Sequence, residues 1–355
     1  MPETECQKFV YADDMTFAIY CKDIENGEAA LERDLTKIST HLRKWRLKPN
    51  PIKTEVSIFH LNNHLAQREL QVKFEGFDLR HNFNPKVLGV TLDRSLTYHA
   101  HLDGKSKKLA TRNNLLQMIA GTTWGAKADT LRSAALSLVF APSEYCCSSW
   151  INSVHCSKIN VQLNRSMRLI TGTMKSTPLQ WLPVLSNIAP VQLRREQALV
   201  NTIFKCKTLK NSLLFEFLQD PPDQSLVRKP PYLLAKELMI TPYNIKERWK
   251  DSWDNSSIQN DFLIDDPCLK LPGFNLPRKT WCQLNRLRTG YGKSASTLFK
   301  WGAIDHPSCD CGVQNQTINH ISQECPIRRF EGTLEDINQC TDEAISWINN
   351  LDLKI

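Results

Sequence analysis

Two apolar runs, Phe9-Val10-Tyr11 and Met15-Thr16-Phe17-Ala18-Ile19-Tyr20, flank the pair Asp13-Asp14. Both are rich in the β-branched and aromatic residues that suit a pleated surface, so the stretch predicts a hairpin with the two aspartates at its bend. Side by side at a tight turn, the carboxylates repel each other unless a cation sits between them. A divalent ion is the natural choice. In two-metal sites, ions roughly 4 Å apart hold the attacking and leaving oxygens of a phosphoryl transfer, and carboxylates hold the ions. Asp-Asp is also a common turn pair, and a solvated hairpin bend is the competing reading.

At 355 residues the chain has room for two or three domains and a substantial core. No run approaches the roughly 20 apolar residues needed to span a bilayer, and Met1 to Cys6 lack the basic start and apolar stretch of a signal peptide. The expectation is an intracellular protein of nucleus or cytoplasm, not secreted and with no membrane partner. Its 12 cysteines are then thiols or metal ligands rather than disulfides. Charge is uneven: residues 101–212 carry 15 Lys and Arg against 4 Asp and Glu, whereas 1–100 balance and 213–355 are slightly acidic. A basic middle in a balanced chain points to a polyanionic partner, nucleic acid before membrane.

Past the hairpin, Leu31, Leu35, Ile38, Leu42 and Trp45 fall on one helical stripe that stops before Pro49 and Pro51. Strands are expected at Glu55 to Phe59, at Val72 to Phe74 and at Leu88 to Asp93, the last a buried strand with a turn glycine. Residues 1–100 therefore read as a small α+β unit of hairpin, helix and strands.

The ordered string Phe9-Val10-Tyr11-Ala12-Asp13-Asp14, then Trp45 with Leu47 to Thr54, then Leu88-Gly89-Val90-Thr91-Leu92-Asp93 with His101, resembles the last part of the palm of non-LTR, jockey-like retrotransposon reverse transcriptases. The resemblance implies RNA-directed DNA synthesis in the parent enzyme. Asp13 and Asp14 would hold catalytic Mg²⁺, Lys53 would lie near the nucleotide phosphates, and Leu88 to Asp93 would lead the primer grip. As a residue alone, Lys53 reads equally as a solvated strand-edge lysine. The family's palm also needs a metal carboxylate on an earlier strand. Ten residues precede Tyr11, and Glu3 and Glu5 sit in a polar stretch with no strand pattern. By itself the chain is expected not to polymerise DNA.

From His101 the pattern turns helical and basic, with Lys105, Lys107, Lys108 and Arg112 backed by Leu109, Leu115, Leu116 and Ile119. Further helices are expected over Asp129 to Phe140, over Lys158 to Thr171 with Gly172 as cap, after an N-cap pair Thr177-Pro178, and from Pro190 to Leu209. The resemblance makes residues 101–212 a polymerase thumb on an RNA–DNA or DNA duplex, or on RNA. Lys105, Lys107, Lys108 and Arg112 are its phosphate-contacting candidates, against the plainer reading of a solvated helix face. Cys146, Cys147 and Cys156 read as structural thiols.

Prolines break the pattern across 213–277, which reads as a linker with short helices. In 278–355, Trp281 and Leu284 to Arg288 restore a helix ending at Thr289-Gly290. Cys309-Asp310-Cys311-Gly312, His320 and Cys325 then supply four ligands and a turn glycine for a structural Zn²⁺, the alternative being unrelated thiols. Many elements of the resembled family carry a similar Cys/His cluster after the polymerase. Glu331 to Leu351 reads as one closing helix. The expected architecture is thus α+β: a truncated palm (1–100), a mostly α-helical thumb (101–212), a Pro-rich linker (213–277) and a helical tail with a zinc-knuckle-like loop (278–355). The alternatives are a non-catalytic nucleic-acid-binding protein derived from such an element, or a helical scaffold whose Asp-Asp turn is incidental.

Overall fold

The computed structural model describes residues 1–209, 213–220, 229–353 and 355. They divide into two compact units, the first made of 1–103 with 153–155 and 229–230, the second of the other described residues.

In the first unit, β1 (Gln7–Tyr11) pairs antiparallel with β2 (Asp14–Ala18), Tyr11 facing Asp14 across a two-residue loop whose first residue, Ala12, has φ +53°. The expected hairpin is there. Asp23 caps α1 (Ile24–Lys44) by accepting the Glu25 N–H, and Leu35, Ile38 and Leu42 are buried along its predicted stripe. Trp45 is the exception at 69% exposed. It follows the last helical residue, and Arg46 at φ +58° turns the chain away, so the stripe ends before reaching it. Leu35 packs with Val56, Val72, Phe74 and Leu79, and Phe17 of β2 packs partly buried against this core. Asp34, buried on the same helix, accepts the Cys6 N–H (2.8 Å) and the Lys37 ammonium (3.1 Å), which fixes the chain just before β1.

The remaining strands are shorter than their apolar runs suggest: β3 (Glu55–Val56), β4 (Lys73–Phe74), β5 (Phe77–Asp78), β6 (Arg80–His81), β7 (Lys86–Val87) and β8 (Val90–Thr91). β3 pairs parallel with β6, while β4–β5 and β7–β8 are tight hairpins. Leu88 to Asp93 is therefore not one strand. Leu88 (φ +44°) and Gly89 (φ +84°) form the two-residue turn between β7 and β8, the left-handed pair that matches strand twist in a hairpin. Among the described residues the strands make four two-stranded ladders and no larger sheet.

The second unit is helical. It begins within α2 (His99–Met118) and continues through α3 (Ala128–Ala135), which runs into a π-helical turn at Leu136–Phe140, then α4 (Ala141–Glu144), α5 (Cys147–Trp150) and α6 (Cys156–Thr171). There follow α7 (Trp181–Ser186), α8 (Val191–Thr208), α9 (Leu213–Gln219), α10 (Pro231–Leu238), α11 (Ile245–Asp254), α12 (Arg278–Thr289), α13 (Ala295–Lys300), α14 (Leu334–Gln339) and α15 (Asp342–Asn350). Thr177 caps nothing: its hydroxyl is buried without a hydrogen-bond partner, and α7 starts four residues later. The stretch read as a linker does hold short helices, yet it is built into the core. Trp249 and Trp253, one turn apart on α11, bury against Trp181, Val184 and Leu185 of α7, with Trp181 and Trp253 edge to face at 5.1 Å. The single closing helix is two. Cys340 takes φ +61°, and Thr333 and Thr341 cap the helices on either side, the first through a reciprocal capping box with Asp336.

A run of hydrogen bonds ties the tail to α6. The last carbonyls of an α-helix lack intrahelical partners, and those of α6 are met by side chains of α12: Arg278 at Leu169 and Ile170 (both 2.5 Å), Trp281 also at Ile170 (3.0 Å), Asn285 at Thr171 (2.9 Å) and Arg286 at Gly172 (3.1 Å). These arginines are buried cations facing the negative end of a helix dipole. Leu284 and Leu287, turned away from α6, and the flank of the Trp281 ring pack with Ile318 and Ile321 of the Cys/His loop and with Ile337, Ala344 and Ile348.

Candidate functional site

The four ligand candidates of the tail come together. Sulfurs of Cys309, Cys311 and Cys325 and a ring nitrogen of His320 all lie within 4.8 Å of one another, and Cys309, His320 and Cys325 are buried. Local sequence explains how. Gly312 at φ +92° lets the chain reverse immediately after Cys311, closed by hydrogen bonds from the Gly312 N–H to Cys309 O (2.9 Å) and from the Cys309 N–H to Val313 O (2.8 Å). His320 opens a π-helical turn (His320–Glu324), from which the Cys325 N–H returns to His320 O (2.8 Å). Ile318 and Ile321, set in the core on α12, hold the returning segment in place.

The geometry suits a tetrahedral cation. With metal–sulfur bonds of about 2.3 Å and metal–nitrogen bonds of about 2.0 Å, tetrahedral edges are about 3.8 Å between sulfurs and about 3.5 Å between sulfur and nitrogen. The Cys309–Cys325 sulfurs are 3.8 Å apart, and Cys311 Sγ is 3.3 Å from His320 Nε2. Soft donors in such a set select a thiophilic metal and leave no position for a reacting molecule, so the role it supports is structural. The surroundings also favour charge on sulfur. Burial alone pushes the Cys309 thiol up, but the Cys311 N–H and the Gln316 amide outweigh it and bring the thiol down to about 6. Gln316 Nε2 lies 3.2 Å from Cys309 Sγ, and a guanidinium nitrogen of Arg328 lies 3.9 Å from it. Glu324 stands 3.4 Å from His320 Nδ1 and so directs Nε2 at the ligand set. None of these three neighbours was visible in the Cys/His spacing. Arg328 is itself held by Asp310 (2.5 Å) and by Asp352 (2.9 and 3.0 Å), joining the loop to the chain after α15.

The acidic hairpin is different. Asp13 sits in the β1–β2 loop and Asp14 is the first residue of β2, both exposed. Among the described residues no third His, Cys, Asp or Glu joins them in a group able to hold an ion. Lys53, exposed in the turn before β3, forms no ion pair with either. Two carboxylates alone do not make a two-metal site.

The basic stripe of α2 is also uneven. Lys107 and Lys108 are exposed. Lys105 is half-buried, its ammonium donating to Tyr145 O (3.1 Å) and lying 5.8 and 5.3 Å from the Tyr145 and Trp150 rings, with burial holding its pKa below the usual lysine value. Arg112 donates to Leu138 O (2.9 Å) at the π-helical turn. Cys147 and Cys156 are buried thiols.

Comparison with known proteins gives the chain its relatives. It is 23% identical over 344 residues to a retrovirus-related Pol polyprotein from type-1 retrotransposable element R1 of Bradysia coprophila, an alignment covering 93% of this chain and 32% of that protein. It is 27% identical over 163 residues to a Drosophila melanogaster protein named "Probable RNA-directed DNA polymerase from transposon BS", covering 45% of this chain and 18% of the other. With the Pol polyprotein of element R1 3 of Nasonia vitripennis the identity is 19%, over 95% of this chain and 89% of that one. The chain thus spans about a third of the Bradysia polyprotein and under a fifth of the Drosophila protein. No protein-family model and no solved structure matches it. No helix among the described residues is long and apolar enough to cross a membrane.

Proposed function

This chain is a relative of non-LTR retrotransposon Pol polyproteins, and on that premise we propose that it is the carboxy-terminal part of an RNA-directed DNA polymerase. One observation carries the reading: the alignment to the Bradysia Pol polyprotein extends over 344 residues and covers 93% of the chain. In this reading the first unit is the end of a polymerase palm and the basic helices from α2 to α8 are the thumb. Asp13 and Asp14 are two of the parent enzyme's Mg²⁺ ligands, with Lys53 toward the nucleotide phosphates. Lys107 and Lys108 meet the backbone of a template–primer duplex, assisted by Arg112; Lys105 serves the fold, packed on Tyr145 and Trp150. The Cys/His loop binds Zn²⁺ as a structural ion.

The exposed, two-ligand state of the acidic bend favours a second reading for the chain acting by itself: nucleic-acid binding without synthesis. Primer extension on an RNA template with Mg²⁺, set beside Asp13→Ala, decides between them. Asp13-dependent product establishes polymerase activity. Absence of product, with duplex affinity that falls as salt rises, leaves binding alone. Affinity indifferent to salt, or unchanged in a Lys107→Ala/Lys108→Ala double variant, would remove the thumb reading as well.

A further inference from the structure

The residue between the two halves of the Cys/His loop that carries most of the structure is Gln316. It is 6% exposed, and its backbone N–H and C=O and both ends of its side-chain amide have partners on the loop or on α13. Its backbone N–H donates to Pro307 O (2.8 Å). Its backbone carbonyl accepts the Ser296 N–H (3.1 Å), and its side-chain Oε1 accepts the Ala295 N–H (3.0 Å). Ala295 and Ser296 are the first two residues of α13, whose N–H groups have no partner within the helix. Gln316 therefore supplies both of them, while the Ser294 hydroxyl takes the third, from Thr297 (3.3 Å).

That arrangement fixes the amide. With Oε1 committed to a backbone N–H, only the NH₂ end can face Cys309 Sγ, 3.2 Å away. A donor aimed at a buried sulfur stabilises the thiolate and leaves the thiol little changed. Cys309 is also the cysteine approached by the Arg328 guanidinium, so two donors from outside the turn converge on one ligand. Outer donors of this kind orient ligands and tune affinity in metal sites generally.

We propose that Gln316 is the positioning residue of the metal centre, holding Cys309 as the anchoring thiolate and coupling metal occupancy to the start of α13. The inference rests on the metal reading of the loop. Metal binding to the four ligands rigidifies Cys309, Cys309 orients the Gln316 amide, and the amide caps α13. Loss of the amide N–H weakens the centre without removing a ligand.

The test is a Co²⁺ and Zn²⁺ titration of the full chain against a chromophoric chelator. Gln316→Glu keeps the carbonyl that accepts the Ala295 N–H but puts an acceptor-only carboxylate against the sulfur. Its affinity is expected to fall by about 10–100-fold, the range for outer-shell changes in metal sites. The thiolate-to-Co²⁺ charge-transfer band should also move to longer wavelength, because a hydrogen bond to sulfur lowers the energy of its lone pairs. Ser294→Ala loosens the start of α13 through its other capping residue and leaves Gln316 in place; by linkage its affinity should fall by only a few-fold, and the band should stay where it is. A Gln316→Leu chain is expected to combine the weak affinity with a frayed α13. Should it fail to fold, Gln316→Glu still decides the matter. Wild-type affinity and an unmoved band in Gln316→Glu would overturn the assignment, as would an equal loss in Ser294→Ala. A wild-type chain that takes up neither ion would instead sink the metal reading beneath it.

Discussion

The Cys/His loop and the Asp-Asp hairpin are both short strings of metal-binding residue types, and the structure treats them in opposite ways. Around Cys309, Cys311, His320 and Cys325 the chain supplies a full ligand set, a second layer of Gln316, Glu324 and Arg328, and a core that fixes each returning segment. Around Asp13 and Asp14 it supplies a turn and solvent. The loop's chemistry is complete within one unit; the hairpin's would need groups from outside the described residues. A charged pair left at an exposed tip can wait for its ion, because water solvates it. Thiols crowded within 4.8 Å and largely buried can give up their protons together only with a cation among them, because like charges so close repel.

The sharpest way to break this comparison is to remove the metal. If the loop is a structural centre, EDTA treatment or Cys309→Ser should destabilise the second unit by several kcal/mol. Structural zinc contributes about 10–16 kcal/mol in peptides that fold around it; part of that is replaced here by the packing of Ile318 and Ile321, so about 5 kcal/mol is expected. For a unit of this size that lowers the unfolding midpoint by about 10–20 °C, read by calorimetry with and without chelator. A midpoint that ignores both the chelator and the substitution would mean that the loop holds by packing alone.

Next in size is the scaffold behind the loop. Arg278→Met removes the donor that meets the Leu169 and Ile170 carbonyls, leaving the second with Trp281 alone and the first without this partner. A loss of about 2–4 kcal/mol is expected. The same substitution should accelerate chelator-driven metal release, since α12 carries both the α6 contacts and the face on which the loop sits. Destabilisation with unaltered metal release would show the two faces of α12 to be independent.

How far the sequence went follows from the same physics. The ligand set of the loop was legible because thiol and imidazole spacing is itself the chemistry. The hairpin was legible because two β-prone runs around a turn have few other options. Gln316 and Arg328 were not, since a polar side chain says nothing of its partner until the fold brings one within reach. The stretch around Trp249 and Trp253 was misread for a related reason: its prolines break periodicity, and the signal that remained, two tryptophans at a spacing of four, needed α7 to give it a surface. The Leu88-Gly89 turn hid inside an apolar run, with only the glycine to betray it. The break between α14 and α15 went unread: it is made by Cys340 at φ +61° and the cap Thr341, and neither residue type announces a helix end by itself.

Asp34 tests whether carboxylates in the first unit matter when they are buried. Its carboxyl is pulled below the ordinary aspartate value: burial works against this, but the Cys6 N–H and Lys37 outweigh it. A depressed folded-state value means that the stabilisation is present above about pH 4, where the unfolded chain ionises, and is lost as pH falls further through the folded value. Asp34→Asn should cost about 1–2 kcal/mol at pH 7. Denaturant midpoints for the two chains should converge toward pH 3. A constant gap across that range would assign the effect to shape rather than charge.

The smallest effect belongs to the hairpin itself. Asp13→Ala and Asp14→Ala each remove an exposed carboxylate beside a like charge, so stability should change by less than about 0.5 kcal/mol and, at low salt, in the favourable direction. Set against the Cys309→Ser loss, that near-zero value is the quantitative form of the comparison. A residue kept for folding resists removal, whereas one kept for chemistry can be removed without the fold registering it. If Asp13→Ala instead destabilised the first unit by more than about 1 kcal/mol, the aspartate would be serving the turn, whose Ala12 already sits at φ +53°, and its value as a mark of polymerase ancestry would shrink to that of a well-chosen bend.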